Sequence, residues 1–139
     1  MKLRTVGLAA GGLVAAYAAE RLLIGRPRAK LDPSVVDGFD YPPGATHRDV
    51  PLSDGGSLHV VDVGSGPPIV LLHGITLSAL TWHYQLADLA GAHRVLAVDH
   101  RGHGTSTPGS GAWDIDRLAL DLVELLDDLD LHGALLVGH

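Results

Sequence analysis

The 139-residue chain is 46% hydrophobic, with 16 acidic and 10 basic side chains, 18 Gly, 8 Pro and no Cys. That suits one packed domain and excludes a collagen-like or disordered polymer, a disulfide scaffold, a thiolate nucleophile and a Cys-ligated metal. Charge is uneven: residues 1–30 hold six basic groups against Glu20 alone, residues 31–139 hold fifteen acids and four bases, and so acidic a body excludes nucleic acid as a partner.

The N-terminus reads as a membrane or export segment over residues 1–24. After Met1-Lys2-Leu3-Arg4 an uncharged run extends from Thr5 to Ala19, Glu20-Arg21 interrupts it, and Leu22-Leu23-Ile24 resumes. The uncharged run as helix spans only about 22 Å, short of a hydrocarbon core of roughly 30 Å. Extension to Ile24 reaches the needed length and leaves Glu20 and Arg21 near one interface, where they can snorkel. The same run fits a secretory signal ending in small residues Ala16-Tyr17-Ala18, or an amphipathic or buried helix. The apolar continuation past those small residues favours an uncleaved anchor over an exported, cleaved form. Basic residues on both flanks leave the orientation open.

Residues 25–46 contain four of the eight Pro and no sustained periodicity, the pattern of a linker. From His47 to His139 the pattern is that of a folded domain. Residues 47–52 and 57–63 flank Ser53-Asp54-Gly55-Gly56, a hairpin signal. Pro68–Leu72 is an apolar run of strand length, expected to be covered on both faces. A helix follows, with Ser78 as its expected cap, Ala79, Trp82, Leu86 and Leu89 at helical spacing, and Gly91 as its stop. Trp82 is expected to pack this helix onto the sheet and His83 to be solvated.

Residues 93–98 read as a second buried strand. From about Asp114 to Asp130, Ile115, Leu118, Ala119, Leu122, Leu125, Leu126 and Leu129 form one apolar stripe. Asp121, Glu124, Asp127 and Asp128 lie opposite, as a solvated face. Residues 133–137 read as a third buried strand. A hairpin followed by strand–helix–strand–helix–strand predicts an α/β sheet, parallel after its opening.

In such sheets, functional groups gather beyond the carboxyl ends of the parallel strands. Three segments fall there: His73-Gly74-Ile75-Thr76, the loop Asp99–Ser106, and Gly138-His139. A Gly directly after a strand allows close backbone approach or positive φ. It can turn the Ile75 N–H toward a bound oxygen, although His-Gly alone is more often a simple turn. Asp99, Arg101 and Ser106 suit turn and capping roles. His103 is placed on the pocket rim. His100 and His103 lie in a glycine-rich loop rather than at metal-ligating helical spacing, so no metal and no cofactor is expected.

Together, His73-Gly74 after an apolar strand, the Asp99-x-Arg101-Gly102-x-Gly104-x-Ser106 loop and the final Leu-Leu-Val-Gly-His resemble the α/β-hydrolase family over about residues 47–139. The stretch Thr76-Leu77-Ser78 to Trp82-His83 is similar to its serine esterase, lipase and haloperoxidase-like branch. The resemblance implies the amino-terminal half of a hydrolase sheet, with His73, Gly74 and the Ile75 N–H framing an oxyanion hole. It also implies that Gly138-His139 begin the G-x-S-x-G elbow, so that the nucleophile is expected immediately after His139 and the acid and base later still.

No catalytic residue is then present, and the 139 residues alone are expected to be an inactive portion of a membrane-anchored hydrolase. The parent is expected to act on a small-molecule ester. An Asp-nucleophile relative of epoxide hydrolases or haloalkane dehalogenases is the alternative, disfavoured because the segment after His-Gly lacks that branch's aromatic-Pro-rich sequence. A non-catalytic anchored interaction fragment is the reading from outside enzymology.

Overall fold

A computed structural model describes residues 39–139, and the expected apolar helix over 1–24 and most of the linker lie outside the described residues. Five strands form one mixed sheet: β1 (Thr46–Pro51), β2 (Ser57–Gly64), β3 (Pro68–Leu72), β4 (Arg94–Val98) and β5 (Leu135–Gly138). Their spatial order is β1-β2-β4-β3-β5. β1 and β2 make the expected hairpin, β2 runs antiparallel to β4, and β3 pairs in parallel with β4 and β5. The carboxyl ends of β3, β4 and β5 therefore open onto one edge of the sheet.

Period-2 alternation sorts the strand residues onto two faces. Val60, Val70, Leu96 and Val98 join Val50 and Leu58 on one face. Val61, Val63, Ile69, Leu71, Val95 and Ala97 form the other. Because β3 and β4 are apolar on both faces, each face needs its own cover. Helix α1 (His83–Leu89), entered through a 3₁₀ turn over Ala79–Trp82, supplies Trp82 and Leu86 to the second face. Helix α2 (Ile115–Asp128) covers the first with Leu122, Leu125 and Leu126. Within the stretch read as a linker, Tyr41 and Ala45 pack against the α1 side.

Several local expectations are corrected. Ser78 makes no side-chain cap; the first free N–H, that of Ala79, is taken at 2.6 Å by Asp99 Oδ1 from the end of β4. The buried carboxylate offers a charge-assisted bond that the Ser hydroxyl would have to match. α1 ends at Leu89 on an α-conformed Ala90, so Gly91 supplies no left-handed stop. His83 is buried: its Nδ1–H donates to Leu80 O at 3.1 Å. α2 opens on Asp114, whose side chain accepts the Arg117 N–H at 2.8 Å.

The supposed solvated face of α2 is not uniform either, because Asp121 is only 2% exposed and lies between two arginines. The expected stripe divides as well: its first turn, with Ile115 and Ala119, stays exposed while the later leucines pack on the core. Finally, β5 is not buried. Among the described residues it pairs with β3 alone, and Leu135 and Leu136 are exposed.

Candidate functional site

The loop after β4 is built first, because everything at the sheet edge rests on it. Asp99 spends both carboxylate oxygens on backbone: Oδ1 accepts from Ala79 and Oδ2 accepts from the Thr105 N–H at 3.1 Å. Gly104 sits over that carboxylate with φ of +52°, and a Cβ there would lie 2.0 Å from Asp99 Oδ2. Only Gly satisfies both the left-handed φ and the contact. Ser106 Oγ donates to Asp99 O at 2.6 Å and accepts from the His59 N–H at 2.8 Å, tying the loop back to β2.

Arg101 is almost wholly buried and donates twice to Asp121, through Nε at 2.8 Å and Nη2 at 2.7 Å. Its Nη1 meets Asp54 at 2.9 Å and also donates to Pro108 O. A buried guanidinium needs this degree of pairing, since its desolvation is otherwise uncompensated. The arginine holds the Asp54 carboxyl down to about 2, and the carboxylates hold Arg101 charged by raising its own pKa. Hairpin turn, β4 loop and α2 are thereby bound into one unit.

His73 is the keystone on the β3 side. Its ring is buried, Nε2 accepts the His100 N–H at 3.1 Å, and Nδ1 lies 2.7 Å from Gly74 O. A carbonyl only accepts, so Nδ1 carries the hydrogen, and the bonding assigns the neutral Nδ1–H tautomer. Both nitrogens are then spent, and His73 positions backbone rather than touching a ligand. Its ring meets that of His100 edge-on, with centroids 4.7 Å apart, and that of His103 at a tilt, 5.2 Å apart. Burial, with His73 second, lowers the His100 pKa and favours its neutral form.

Gly74 starts a tight turn in which the Leu77 N–H donates to Gly74 O at 3.2 Å and Thr76 has φ of +66°. Positive φ at the third position is the mark of a type II turn, usually filled by Gly or Asn. A β-branched residue there is strained, and such strain concentrates at functional turns. Ile75 is 85% exposed, and no acceptor among the described residues takes its N–H.

The β5 end arrives beside this turn. The His139 N–H donates to Leu72 O at 3.1 Å, and a Cβ on Gly74 would stand 3.0 Å from His139 Nδ1 and 3.1 Å from His139 O. Gly74 therefore admits His139 to close range. Gly138 is exposed, and a Cβ on it would meet open space. The Trp82 ring stands edge-on to His139 with centroids 6.4 Å apart.

These segments surround a cleft of about 330 Å³ walled by His73, Ile75, His100, His103, Trp113 and His139, among others. His103 takes its rim position with Nδ1–H donating to Arg101 O at 3.1 Å. Sequence reasoning did not single out Trp113. It packs over Gly102, whose φ is +67° and whose absent Cβ would lie 2.0 Å from the indole. An aromatic one residue before the Asp cap of α2 was the available signal. The surrounding arrangement offers a backbone N–H without an acceptor among the described residues, at a residue lining an apolar, aromatic-walled cleft beside the neutral rings of His73 and His100. That is the equipment to stabilise a developing negative oxygen.

A family model described as alpha/beta hydrolase fold matches residues 67–139. Similar proteins include bifunctional epoxide hydrolase 2 of Sus scrofa, 40% identical over 116 residues that cover 81% of this chain and 19% of the relative. The non-heme chloroperoxidase CPO-A1 of Kitasatospora aureofaciens is 44% identical over 87 residues, 62% of this chain and 32% of the relative. Among solved structures, the haloalkane dehalogenase DatA of Agrobacterium tumefaciens C58 superposes with a TM-score of 0.66 at 35% identity, covering 74% of this chain and 34% of that one. The chain thus spans between about a fifth and a third of the length of these relatives.

Proposed function

The chain belongs to the α/β hydrolase fold family, and from that premise we propose that it supplies the anion-stabilising part of a hydrolytic site for small-molecule carboxylic esters. The observation that carries this reading is that Ile75, in the Gly74–Leu77 turn beside His139, lines the cleft and has an N–H that no acceptor among the described residues takes. Attack on an ester carbonyl places negative charge on its oxygen, and a prepositioned N–H stabilises that charge without reorganising. The attacking group is a serine directly after His139 in the continuation of the chain, activated by a histidine and an acid later still. The N–H of the residue after that serine supplies the second donor.

A second reading draws on the relatives. The Sus scrofa protein is named an epoxide hydrolase and the Agrobacterium structure a haloalkane dehalogenase. An Asp after His139 would attack carbon instead, and the same N–H would serve the later hydrolysis of the resulting ester. Turnover by the full-length protein of p-nitrophenyl acetate, against styrene oxide and 1-bromobutane, separates the two. Ester turnover alone is expected, and epoxide opening or halide release without ester hydrolysis would overturn the serine reading. The 139-residue chain on its own is expected to turn over none of them.

Residues 1–24 tether the domain to a membrane in this proposal, on the strength of the uncharged run Thr5–Ala19 between basic flanks. Retention in the membrane fraction after alkaline carbonate washing is the expected result, and release into the wash would refute it.

A further inference from the structure

The β-hairpin carries a second cluster of titratable side chains, and its two histidines do not line the cleft beside Ile75. Antiparallel register sets His59 of β2 directly opposite Asp49 of β1, and two-residue alternation puts His47 on the same face, diagonal to His59. The three side chains meet in a row. His59 Nδ1 lies 2.9 Å from Asp49 Oδ1, and His59 Nε2 lies 3.1 Å from His47 Nδ1. A carboxylate only accepts, so His59 Nδ1 carries the hydrogen, and Nε2 of the neutral ring turns its lone pair toward His47. Tyr41 stands edge-on to the His47 ring, with centroids 4.9 Å apart. The His59 side chain is 15% exposed and that of Asp49 66%. His47 is exposed as well, so ions from solvent reach the pair.

We propose that His47 Nδ1 and His59 Nε2 bind one divalent first-row transition-metal ion of the imidazole-preferring kind, Cu²⁺, Ni²⁺ or Zn²⁺. At metal–nitrogen lengths of about 2.0–2.1 Å, neighbouring ligands in square to tetrahedral geometry stand about 2.9–3.4 Å apart. The two ring nitrogens already have that spacing, so the rings need only turn their lone pairs to a common point. Binding moves the His47 hydrogen from Nδ1 to Nε2, and the cation takes the place of the hydrogen between the rings. Asp49 is the outer carboxylate that fixes the tautomer and orientation of a ligating imidazole. Among the described residues no group of three imidazole or carboxylate side chains is placed to hold an ion, so water completes the shell. Two nitrogen ligands select against Mg²⁺ and Ca²⁺, which take oxygen. The bound ion straps β1 to β2. This site does not depend on the reading of Ile75.

The test is calorimetric titration of the full-length protein with NiCl₂, repeated with CuCl₂ and ZnCl₂, and with MgCl₂ and CaCl₂ as hard-ion controls. Cu²⁺ is expected to bind more tightly than Ni²⁺. Replacing either histidine by Gln is expected to weaken Ni²⁺ binding about tenfold or more, and Asp49→Asn to weaken it about 10–100-fold. His132→Gln, which removes an exposed imidazole beside the single carboxylate of Asp130, is expected to change nothing. Melts in EDTA and in excess Ni²⁺ read the strap. Ni²⁺ is expected to raise the Tm of wild type and not that of His47→Gln, whose exposed position leaves the core untouched. A wild type that takes no Ni²⁺, an affinity unchanged in both histidine variants, or an equal loss in His132→Gln would overturn the site. So would a Tm raised as much in His47→Gln as in wild type, or Mg²⁺ binding that disappears with the same two histidines.

Discussion

Replacing Ile75 by Pro isolates one hydrogen-bond donor with little else disturbed. Ile75 is the second residue of the Gly74–Leu77 turn, a position that favours Pro, and its N–H has no acceptor among the described residues. The side chain is 85% exposed, so almost no packing is lost. Proline there restricts the unfolded chain, and stability is expected to hold or rise by about 0.4–1 kcal/mol. The catalytic effect should be the reverse. Loss of one oxyanion donor costs about 2.7–4 kcal/mol of barrier, or 10²–10³ in kcat. KM should move little, because the bond strengthens only in the transition state. The assay is steady-state hydrolysis of p-nitrophenyl acetate by the full-length protein, beside a thermal melt and the control Ile75→Ala, which keeps the N–H. A proline variant that retains most of its activity, or an alanine variant that loses as much, would refute the assignment of this donor.

Three further outcomes follow from the scaffold. Asp121→Ala strands the buried Arg101 guanidinium and should cost about 3–5 kcal/mol, read as a shift in the denaturant midpoint; a loss under about 1 kcal/mol would mean that water replaces the carboxylate. Gly104→Ala forces a Cβ to within 2.0 Å of Asp99 Oδ2 at a φ of +52° and should cost about 2–4 kcal/mol, well above Gly55→Ala, where φ is +85° but the space is open; equal costs would show that the Asp99 contact is immaterial. The Asp54 carboxyl is depressed to about 2 by Arg101, so its stabilising contribution is fully present above about pH 4 and is lost as pH falls through 2. Urea midpoints of wild type and Asp54→Asn should therefore converge between those limits, and a constant difference across them would refute the pairing.

The order of elements was legible in the sequence, and particular residues show why. Val70 alternates with Ile69 and Leu71, and that alternation alone demands cover on two faces. Asp114 before an apolar stripe announced the start of α2 at the residue where its side chain accepts the Arg117 N–H. The β-hairpin was equally plain in the Asp-Gly between two strand-like runs. The segments bearing His73, Asp99 and His139 could be placed at strand ends because strand boundaries follow from the apolar runs.

What each of those side chains does was not legible. Sequence position suggested Ser78 as the cap of the first helix, yet Asp99, twenty residues on in the chain, takes the Ala79 N–H. Helical periodicity put Asp121 on a wet face, but Arg101 reaches it from another loop and buries it. Trp113, just before the Asp114 cap, gave no sign of its partner until the fold brought it over Gly102. The exposure of Leu135 and Leu136 among the described residues likewise depends on what covers the faces of β5, which the strand's own pattern does not show.

Patterns of two and 3.6 residues act within a segment, so the chain by itself determined which stretches are strands and helices and which faces must be apolar. Pairing of a buried charge, capping of a helix and filling of a cleft are decided between segments, by whichever groups the sheet brings within about 3 Å. Only the tertiary structure therefore decided that His73 spends its ring on backbone and that the Ile75 N–H meets no acceptor among the described residues.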